Sequence, residues 1–117
     1  MNEPEQEWLL RIFAGESDHA EGKPLYQWLV LEAKTRGLAG ATVLRGIMSY
    51  GAKSQLHTFK IERLSLDLPV VIEIVDARQK LEAFLDAVAP SLTDFDGIAT
   101  LERVEVRRFG TRGRSQR

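Results

Sequence analysis

The chain has 117 residues, a length that fits one domain, and its 44% of hydrophobic residues suffice for a single folded core. Lysine and arginine total 16 and aspartate and glutamate total 17, so the net charge of −1 gives no indication of a nucleic-acid-binding protein. Cysteine is absent, which excludes disulfides, thiol catalysis and cysteine-based zinc sites.

The basic residues are unevenly distributed along the chain. Residues 107–117 contain no acidic residue and five arginines, Arg107, Arg108, Arg112, Arg114 and Arg117. The rest of the chain therefore carries 11 basic and 17 acidic residues, a net charge of −6. A short basic tail on an acidic body is typical of a protein that associates with itself, or of a tail that engages phosphate.

The N-terminus and the apolar runs bear on the location of the protein. Residues 1–7 are acidic and lack the apolar segment of a signal peptide. The longest apolar run, residues 68–75, is too short to cross a membrane. We therefore expect the protein in the cytoplasm.

The first third of the chain predicts a strand followed by a helix. Residues 8–14 form a short apolar run that predicts the first strand. Pro24 suits the first turn of a helix, and Gly37 provides its C-terminal stop. Between these two residues, apolar side chains recur at helical spacing on one face: Leu25, Trp28, Leu29 and Ala33.

The middle of the chain predicts strands and a loop. Residues 40–50 mix β-branched and apolar side chains and predict a second strand, in which Gly46 indicates a bulge or a close approach of the backbone. Residues 51–56 predict a loop, and residues 57–64 alternate between apolar and polar side chains. Residues 69–75 are apolar on both faces and predict a central strand.

The last part of the chain predicts a second helix and a final strand. Asp76 is predicted to be the N-cap of the helix, because Gln79 follows three residues later and completes a capping box. Pro90 ends this helix, and residues 98–109 predict the last strand. The apolar stripe of the helix is Leu81, Phe84, Leu85 and Val88.

This order of elements predicts an α+β fold of the ferredoxin-like βαββαβ type, an antiparallel sheet with two helices on one face. We expect one domain over residues 8–109, with residues 1–7 and 110–117 as flexible tails. The opposite face of the sheet is left bare, and we expect copies of the chain to bury it. The apolar strand positions behind this expectation are Val43, Ile47, Val70, Ile72 and Ile74.

Several segments resemble the PII signalling proteins. The stretch from Gly40-Ala-Thr-Val to Ser49-Tyr-Gly resembles the Gly-x-Thr-Val strand and the glycine turn that lead into the PII T-loop. Residues 68–76 are similar to the strand that returns from the T-loop, and residues 105–110 to the arginine-bearing C-terminal strand. Residues 10–109 as a whole resemble one PII-like branch still more closely, the uncharacterised family called domain of unknown function 190 or UPF0166.

The resemblance implies a homotrimeric signalling protein that binds an adenine nucleotide between subunits and has neither enzymatic activity nor an obligatory cofactor. The nucleotide-binding residues that it implies are Gly40, Ala41, Thr42, Ser49, Gly51, Lys53, Arg107 and Arg108. The glycine- and lysine-rich loop of PII proteins is reduced here to residues 94–97, so we expect AMP or ADP to bind at least as well as ATP. The family often occurs beside small fluoride channels, which implies a membrane transport protein such as a fluoride channel as the regulated partner.

The residues themselves leave alternatives open. A glycine at position 40 lets backbone amides approach a ligand, and Thr42 can hydrogen-bond an adenine edge. A turn followed by an ordinary strand would account for the same residues. Arginine suits phosphate, yet Arg107 and Arg108 would also suit a solvated strand end. Adjacent strand residues face opposite sides, so at most one of the two arginines points into a given cleft, with Arg108 slightly preferred.

Other kinds of function find little support in the sequence. Residues 15–21 contain carboxylates and His19, but their spacing matches no defined metal site. No Gly-x-Ser-x-Gly elbow, Walker loop or Gly-x-Gly-x-x-Gly run is present, and His57 has no assigned partner. Two hypotheses remain beside the regulatory one: a small enzyme acting in a cleft beneath the sheet, and a structural subunit without a ligand.

Overall fold

The computed structural model describes residues 5–50, 56–58 and 68–110. In chain order the elements are β1 (Glu5–Gly15), β2 (His19–Ala20), β3 (Lys23–Pro24), α1 (Leu25–Thr35), β4 (Thr42–Arg45), β5 (Met48–Tyr50), β6 (Leu56–Thr58), β7 (Pro69–Asp76), α2 (Arg78–Val88), a 3₁₀ turn (Ala89–Leu92) and β8 (Ile98–Val106). Most of the predicted 51–56 loop and of the alternating segment 57–64 lies outside the described residues.

Four of the strands form an antiparallel sheet in the order β4-β7-β1-β8. With α1 between β1 and β4 and α2 between β7 and β8, this is the ferredoxin-like arrangement, so the predicted fold class is confirmed. Strand β1 is longer than predicted because both of its ends pair, Glu5 with Val106 and Gly15 with Pro69. Strands β4 and β8 are the two edges of this sheet.

The core lies between the sheet and the two helices. Ile12 pairs with Ile72 across β1 and β7, and Leu10 pairs with Ile74, so these side chains share one face of the sheet. They pack with the buried side of the helices, where Leu25, Leu29, Leu81, Phe84 and Val88 are at most 2% exposed. Burial of this many apolar side chains is the main driving force for the fold.

The helix α1 ends as the sequence predicts. Gly37 has a φ of +80°, which favours glycine, and its N–H donates to the Lys34 carbonyl at 3.1 Å. The Leu38 N–H donates to the Ala33 carbonyl at 3.0 Å, so the helix closes with a Schellman motif whose buried Leu38 packs on the core. Neither helix in the described ranges has the length and apolar character that crossing a membrane requires.

The second strand is interrupted at Gly46, where the sequence predicts one continuous strand. The Gly46 N–H donates to the Pro69 carbonyl at 2.8 Å, and a Cβ atom at Gly46 would lie 2.9 Å from Pro69 Cγ. The expected close approach of the backbone is therefore present, and it ends the pairing of β4 with β7. Beyond it, β5 leaves the main sheet and pairs with β6.

Two boundaries near the ends of β7 and β8 differ from the prediction. The capping box is wrong: Asp76 is the last residue of β7, Ala77 is the N-cap of α2, and no side chain caps this helix. The Asp76 carboxylate accepts hydrogen bonds from the backbone N–H groups of Ala39 and Ala77 instead. Strand β8 ends at Val106, so Arg107 and Arg108 follow the strand and are not part of it.

The face of the sheet that carries no helix, called the open face below, is crossed by an apolar row. Leu44, Val71, Phe13 and Ile98 are successive neighbours across all four strands. The expectation of apolar residues on this face is right, but four of the five positions behind that expectation lie on the other face. Val43 pairs with Ile72 and packs against the core. Val70, Ile72 and Ile74 are at most 3% exposed and face the helices.

An ion-pair network crosses the open face next to the apolar row. The Arg11 guanidinium donates to Glu73 at 2.9 Å and to Glu102 at 3.0 Å, joining three strands. The hydrogen bond with Glu73 is the largest of the causes that raise the pKa of Arg11 above its usual value, so this side chain keeps its positive charge.

Candidate functional site

The predicted ligand-binding residues Gly40, Ala41 and Thr42 lie where the chain enters the edge strand β4. Gly40 and Thr42 are exposed and Ala41 is half-buried. A Cβ atom at Gly40 would meet no atom within 4 Å, so the fold itself does not demand a glycine there. In the described sheet, β4 pairs with β7 on one side only, which leaves backbone groups on its other side available to a ligand.

A buried carboxylate holds the segment that leads into this edge. Asp76 Oδ2 accepts the Ala39 N–H at 2.9 Å and Oδ1 accepts the Ala77 N–H at 2.7 Å. Lys80 Nζ lies 3.9 Å from Asp76 Oδ2 and donates to the Gly37 carbonyl at 3.1 Å. These contacts join the end of β7 and the first turn of α2 to the loop after α1.

An aromatic ring lies beside Asp76 on the same face of the sheet. Trp8 pairs with Asp76 on one side and with Arg103 on the other. The Arg78 guanidinium is 4.3 Å from the centroid of the Trp8 ring, and the Arg103 guanidinium is 5.8 Å from it. Both distances are short enough for a cation–π contact. The row of Asp76, Trp8 and Arg103 therefore crosses three strands at this end of the sheet.

The predicted arginines Arg107 and Arg108 follow β8 at the opposite edge. The start of β4 and the end of β8 both face the N-terminal end of β1, but they are not level: Thr42 is aligned through Glu73 with Arg11, whereas Val106 pairs with Glu5, six residues further along β1. Strands β4 and β8 are three strand spacings apart, roughly 14 Å. One chain therefore keeps the two groups apart, both across the sheet and along its strands.

The two arginines differ in their surroundings. Arg108 donates to both carboxylate oxygens of Glu7, at 3.1 and 3.3 Å, and its side chain is 27% exposed. Arg107 is exposed, and it forms no ion pair with any residue in the described part of the chain. The slight preference for Arg108 stays a prediction. In this structure the guanidinium of Arg107 is open to a ligand, whereas that of Arg108 is shared with Glu7.

The remaining predicted residues belong to the segment after β4. Ser49 is half-buried in β5, and Gly51 and Lys53 lie outside the described residues. Arg45, the last residue of β4, was not singled out from the sequence; its side chain is 62% exposed and forms an ion pair with Glu16. Its position directly before Gly46 could have indicated it in the sequence, because a positively charged residue at the end of an edge strand lies beside the segment that follows β4.

The polar side chains of the loop after β1 form hydrogen bonds within that loop. Asp18 Oδ2 accepts the Gly15 N–H at 2.8 Å, and His19 Nδ1 lies 2.7 Å from the Ser17 carbonyl oxygen. Among the described residues, no group of three histidine or carboxylate side chains is placed to hold a metal ion.

Comparison with known proteins relates this sequence to one family. Residues 7–106 match the model of the DUF190 family, described as "Uncharacterized ACR, COG1993". The chain is 45% identical over 98 residues to a UPF0166 protein of Aquifex aeolicus, an alignment that covers 84% of this chain and 90% of that protein. It is 39% identical over 77 residues to a UPF0166 protein of Methanocaldococcus jannaschii, covering 66% and 70% of the two chains.

Solved structures share the fold at low sequence identity. CPII, a nitrogen regulatory PII-like protein from Thiomonas intermedia K12 bound to ADP, AMP and bicarbonate, superposes with a TM-score of 0.71 at 12% identity, over 92% of this chain and 94% of that one. A putative PII-like signaling protein from Thermus thermophilus gives 0.62 at 20% identity, over 86% and 89%. The GlnK–ATP complex of B. subtilis gives 0.51 at 13% identity, over 85% and 82%. The fold is therefore PII-like, as the resemblance implied.

Proposed function

Since this chain belongs to the DUF190 family, we propose that it is a PII-like regulatory protein that forms a homotrimer and binds an adenine nucleotide in the clefts between its subunits. The observation that carries the proposal is that residues 40–42 and the two arginines lie on opposite edges of the sheet, where the start of β4 and the end of β8 both face the N-terminal end of β1. In a ring of three copies, residues 40–42 of one subunit would face Arg107 and Arg108 of the next. CPII, which shares the fold, binds ADP and AMP, and this supports the same ligand class here.

The open face supports the homotrimer. The apolar row has four side chains, and three of them are exposed: Leu44, Phe13 and Ile98. A sheet face that is exposed to water normally carries fewer apolar side chains, so copies of the chain would bury this row. The network of Arg11 beside this row would then lie inside the assembly with its carboxylates already paired.

The small number of positively charged side chains available to the ligand favours a short phosphate chain. Arg107 is exposed and Arg108 is shared with Glu7, so between β8 and the end of the described residues at position 110 there is one open guanidinium. The loop before β8 contributes Asp94 and Asp96 in place of cations. A single charge-assisted arginine contact suits one or two phosphate groups, so AMP or ADP should bind at least as well as ATP.

Exposed apolar side chains next to the predicted loop provide a surface for a partner protein. Ile47, Met48 and Tyr50 are exposed in and around β5. Ordering of the loop by a nucleotide would change how this surface fits its partner. Within the proposal, the protein acts in the cytoplasm on a membrane transport protein such as a fluoride channel.

The proposal assigns no enzymatic activity. An enzyme of the dimeric ferredoxin-like type would use a cleft beneath the sheet, but that side is filled by the core, where Ile72, Leu81 and Phe84 are at most 2% exposed. The oligomeric state separates the hypotheses, because a dimer in light scattering would favour the enzyme.

Calorimetry on the full chain tests the ligand. We expect AMP and ADP to bind at least as tightly as ATP, with cyclic AMP as a comparison, and we expect the affinity to fall as salt concentration rises. Arg107→Ala should weaken binding more than Arg108→Ala. The absence of binding heat with every adenine nucleotide would refute the ligand, and full affinity in the double arginine variant would refute the clamp.

A further inference from the structure

We propose that Asp76 and Lys80 act as a latch that positions the adenine-facing backbone of residues 40–42. Asp76 is a positioning residue in this role, since it touches the loop and not the nucleotide. The inference rests on the proposed function, because it names the groups that hold one wall of the proposed cleft in place.

The latch connects elements that are far apart in the sequence. Ala39 is 37 residues before Asp76, and its N–H group donates to the carboxylate at 2.9 Å. Lys80, in the first turn of α2, donates to the Gly37 carbonyl at 3.1 Å, just after the end of α1. The loop from the end of α1 to β4 is thus tied to β7 and α2 immediately before the ligand-facing residues begin.

Burial makes the latch strong. Asp76 is 8% exposed, and every other polar or charged residue whose burial the structure describes is more exposed. Each of its oxygens accepts one backbone N–H group, and Lys80 lies near one of them. A carboxylate has acceptors for both N–H groups, whereas an asparagine would present an NH₂ group to one of them.

The loop has little else to hold it. Gly37 has a positive φ, Ala39 and Gly40 are exposed, and a Cβ atom at Gly40 would touch nothing within 4 Å. Its apolar anchors are Leu38, which is buried on the helix side, and the half-buried Ala41, which packs against the core. Without the carboxylate, the Ala39 N–H would be free to turn toward solvent. The backbone between Ala39 and Thr42, where pairing with Glu73 begins, would then lose one of its fixed points at the edge of the sheet.

The capping rule also points to this role. Asp76 stands where a capping box would place its carboxylate on the first turn of α2, yet α2 has no side-chain cap. Its carboxylate serves Ala39 and its immediate neighbour Ala77. Asp76 thus departs from the capping rule and instead contacts Ala39, 37 residues away. Such departures from local sequence rules are typical of residues that hold a functional surface.

The test compares two latch variants with a matched control on the same helix. Asp76→Asn and Lys80→Met disrupt the latch, and Glu82→Gln removes a carboxylate that pairs only with Arg78 in the described contacts. Binding of AMP and ADP is measured by calorimetry well below the melting temperature of every variant. Backbone amide exchange at Ala39 is measured in parallel on each full-length protein.

We expect Asp76→Asn to weaken AMP and ADP by the same factor, about tenfold, because the lost buried hydrogen bond acts on the adenosine that both ligands share. Lys80→Met should weaken both about threefold, because it removes one weaker contact of the latch, and Glu82→Gln should bind as the unchanged protein does. Exchange at Ala39 should rise in the two latch variants. A purely structural role would lower the melting temperature without changing affinity in the folded protein.

The outcomes separate this inference from the function on which it rests. If the unchanged protein binds no adenine nucleotide, the proposed function fails, and the latch fails with it. If the unchanged protein binds and Asp76→Asn binds equally well, the latch alone is refuted. Should Asp76→Asn not fold, Lys80→Met decides, and unchanged affinity in that variant would overturn the proposal.

Discussion

Gly97 lies just before β8 at a point where the surrounding structure leaves no room for a side chain. A Cβ atom there would lie 2.5 Å from the Phe13 carbonyl oxygen and 2.3 Å from Phe95 Cζ. The Phe95 ring can turn away, but Phe13 is fixed in the sheet by its pairing with Ile98. Gly97→Ala therefore forces the start of β8 to shift, in addition to moving an aromatic ring.

The expected loss follows from those two displacements. Overpacking costs about 1–3 kcal/mol, and exposing part of the half-buried Phe95 ring adds to it. We expect Gly97→Ala to lower the free energy of unfolding by about 2–3 kcal/mol. For a domain of this size, that corresponds to a fall in Tm of roughly 8–15 °C.

Gly40→Ala is the matched control, because its Cβ atom would meet nothing within 4 Å and its φ is not positive. Its effect on the free energy of unfolding should stay within about 0.5 kcal/mol, since alanine reduces the freedom of the unfolded chain at little cost to the folded one. Both variants are unfolded by urea and by heat at one protein concentration, because self-association makes Tm concentration-dependent. Equal stability of the two alanine variants would refute the reasoning.

The other predictions concern assembly, binding and the C-terminal arginines. Phe13→Asp places a charge in the apolar row of the open face and should reduce the trimer to a monomer in light scattering, whereas an unchanged trimer would show that this face is not the interface. Gly40→Ala should bind AMP at least about tenfold more weakly in calorimetry although its stability is retained, because its Cβ atom takes up space beside the ligand-facing backbone; wild-type affinity would contradict this. Arg108→Ala removes the partner of the Glu7 carboxylate, which is 13% exposed, and should lower the free energy of unfolding by about 1–2 kcal/mol. Arg107→Ala should change the free energy of unfolding by less than about 0.5 kcal/mol. Equal denaturation curves for the two arginine variants would contradict the difference expected between them.

Periodicity in the sequence was sufficient for the fold but not for the faces of the central strand. Residues 69–75 are apolar at every position except Glu73, so the faces of this strand depend on a single local signal. The pairing of Ile12 with Ile72 decides the matter, because Ile12 lies over the helices. The side chain of Val71 then lies on the open face beside Phe13, on the same side of β7 as the charged Glu73 two residues later.

The candidate site was predictable where it depends on neighbouring residues and not where it depends on distant ones. The turn at Gly37 follows from local chemistry, and the structure has it as expected. The role of Asp76 depends on Ala39, far away in the chain, and a capping motif was the stronger local signal. Likewise, the pairing of Arg108 with Glu7 requires that β1 and β8 be neighbours, which only the completed sheet supplies.

The position of Trp8 gives the protein an optical property of its own. The indole is a cross-strand neighbour of Asp76 and lies under the guanidinium of Arg78, the first residue of α2. Fluorescence from such a ring responds to the positive charge stacked on it, so a small displacement of Arg78 would change the emission. Trp28 is the other tryptophan, and Trp28→Phe would leave Trp8 as the sole emitter. Ligand titrations could then be followed without an attached dye, from a fluorophore beside the start of α2.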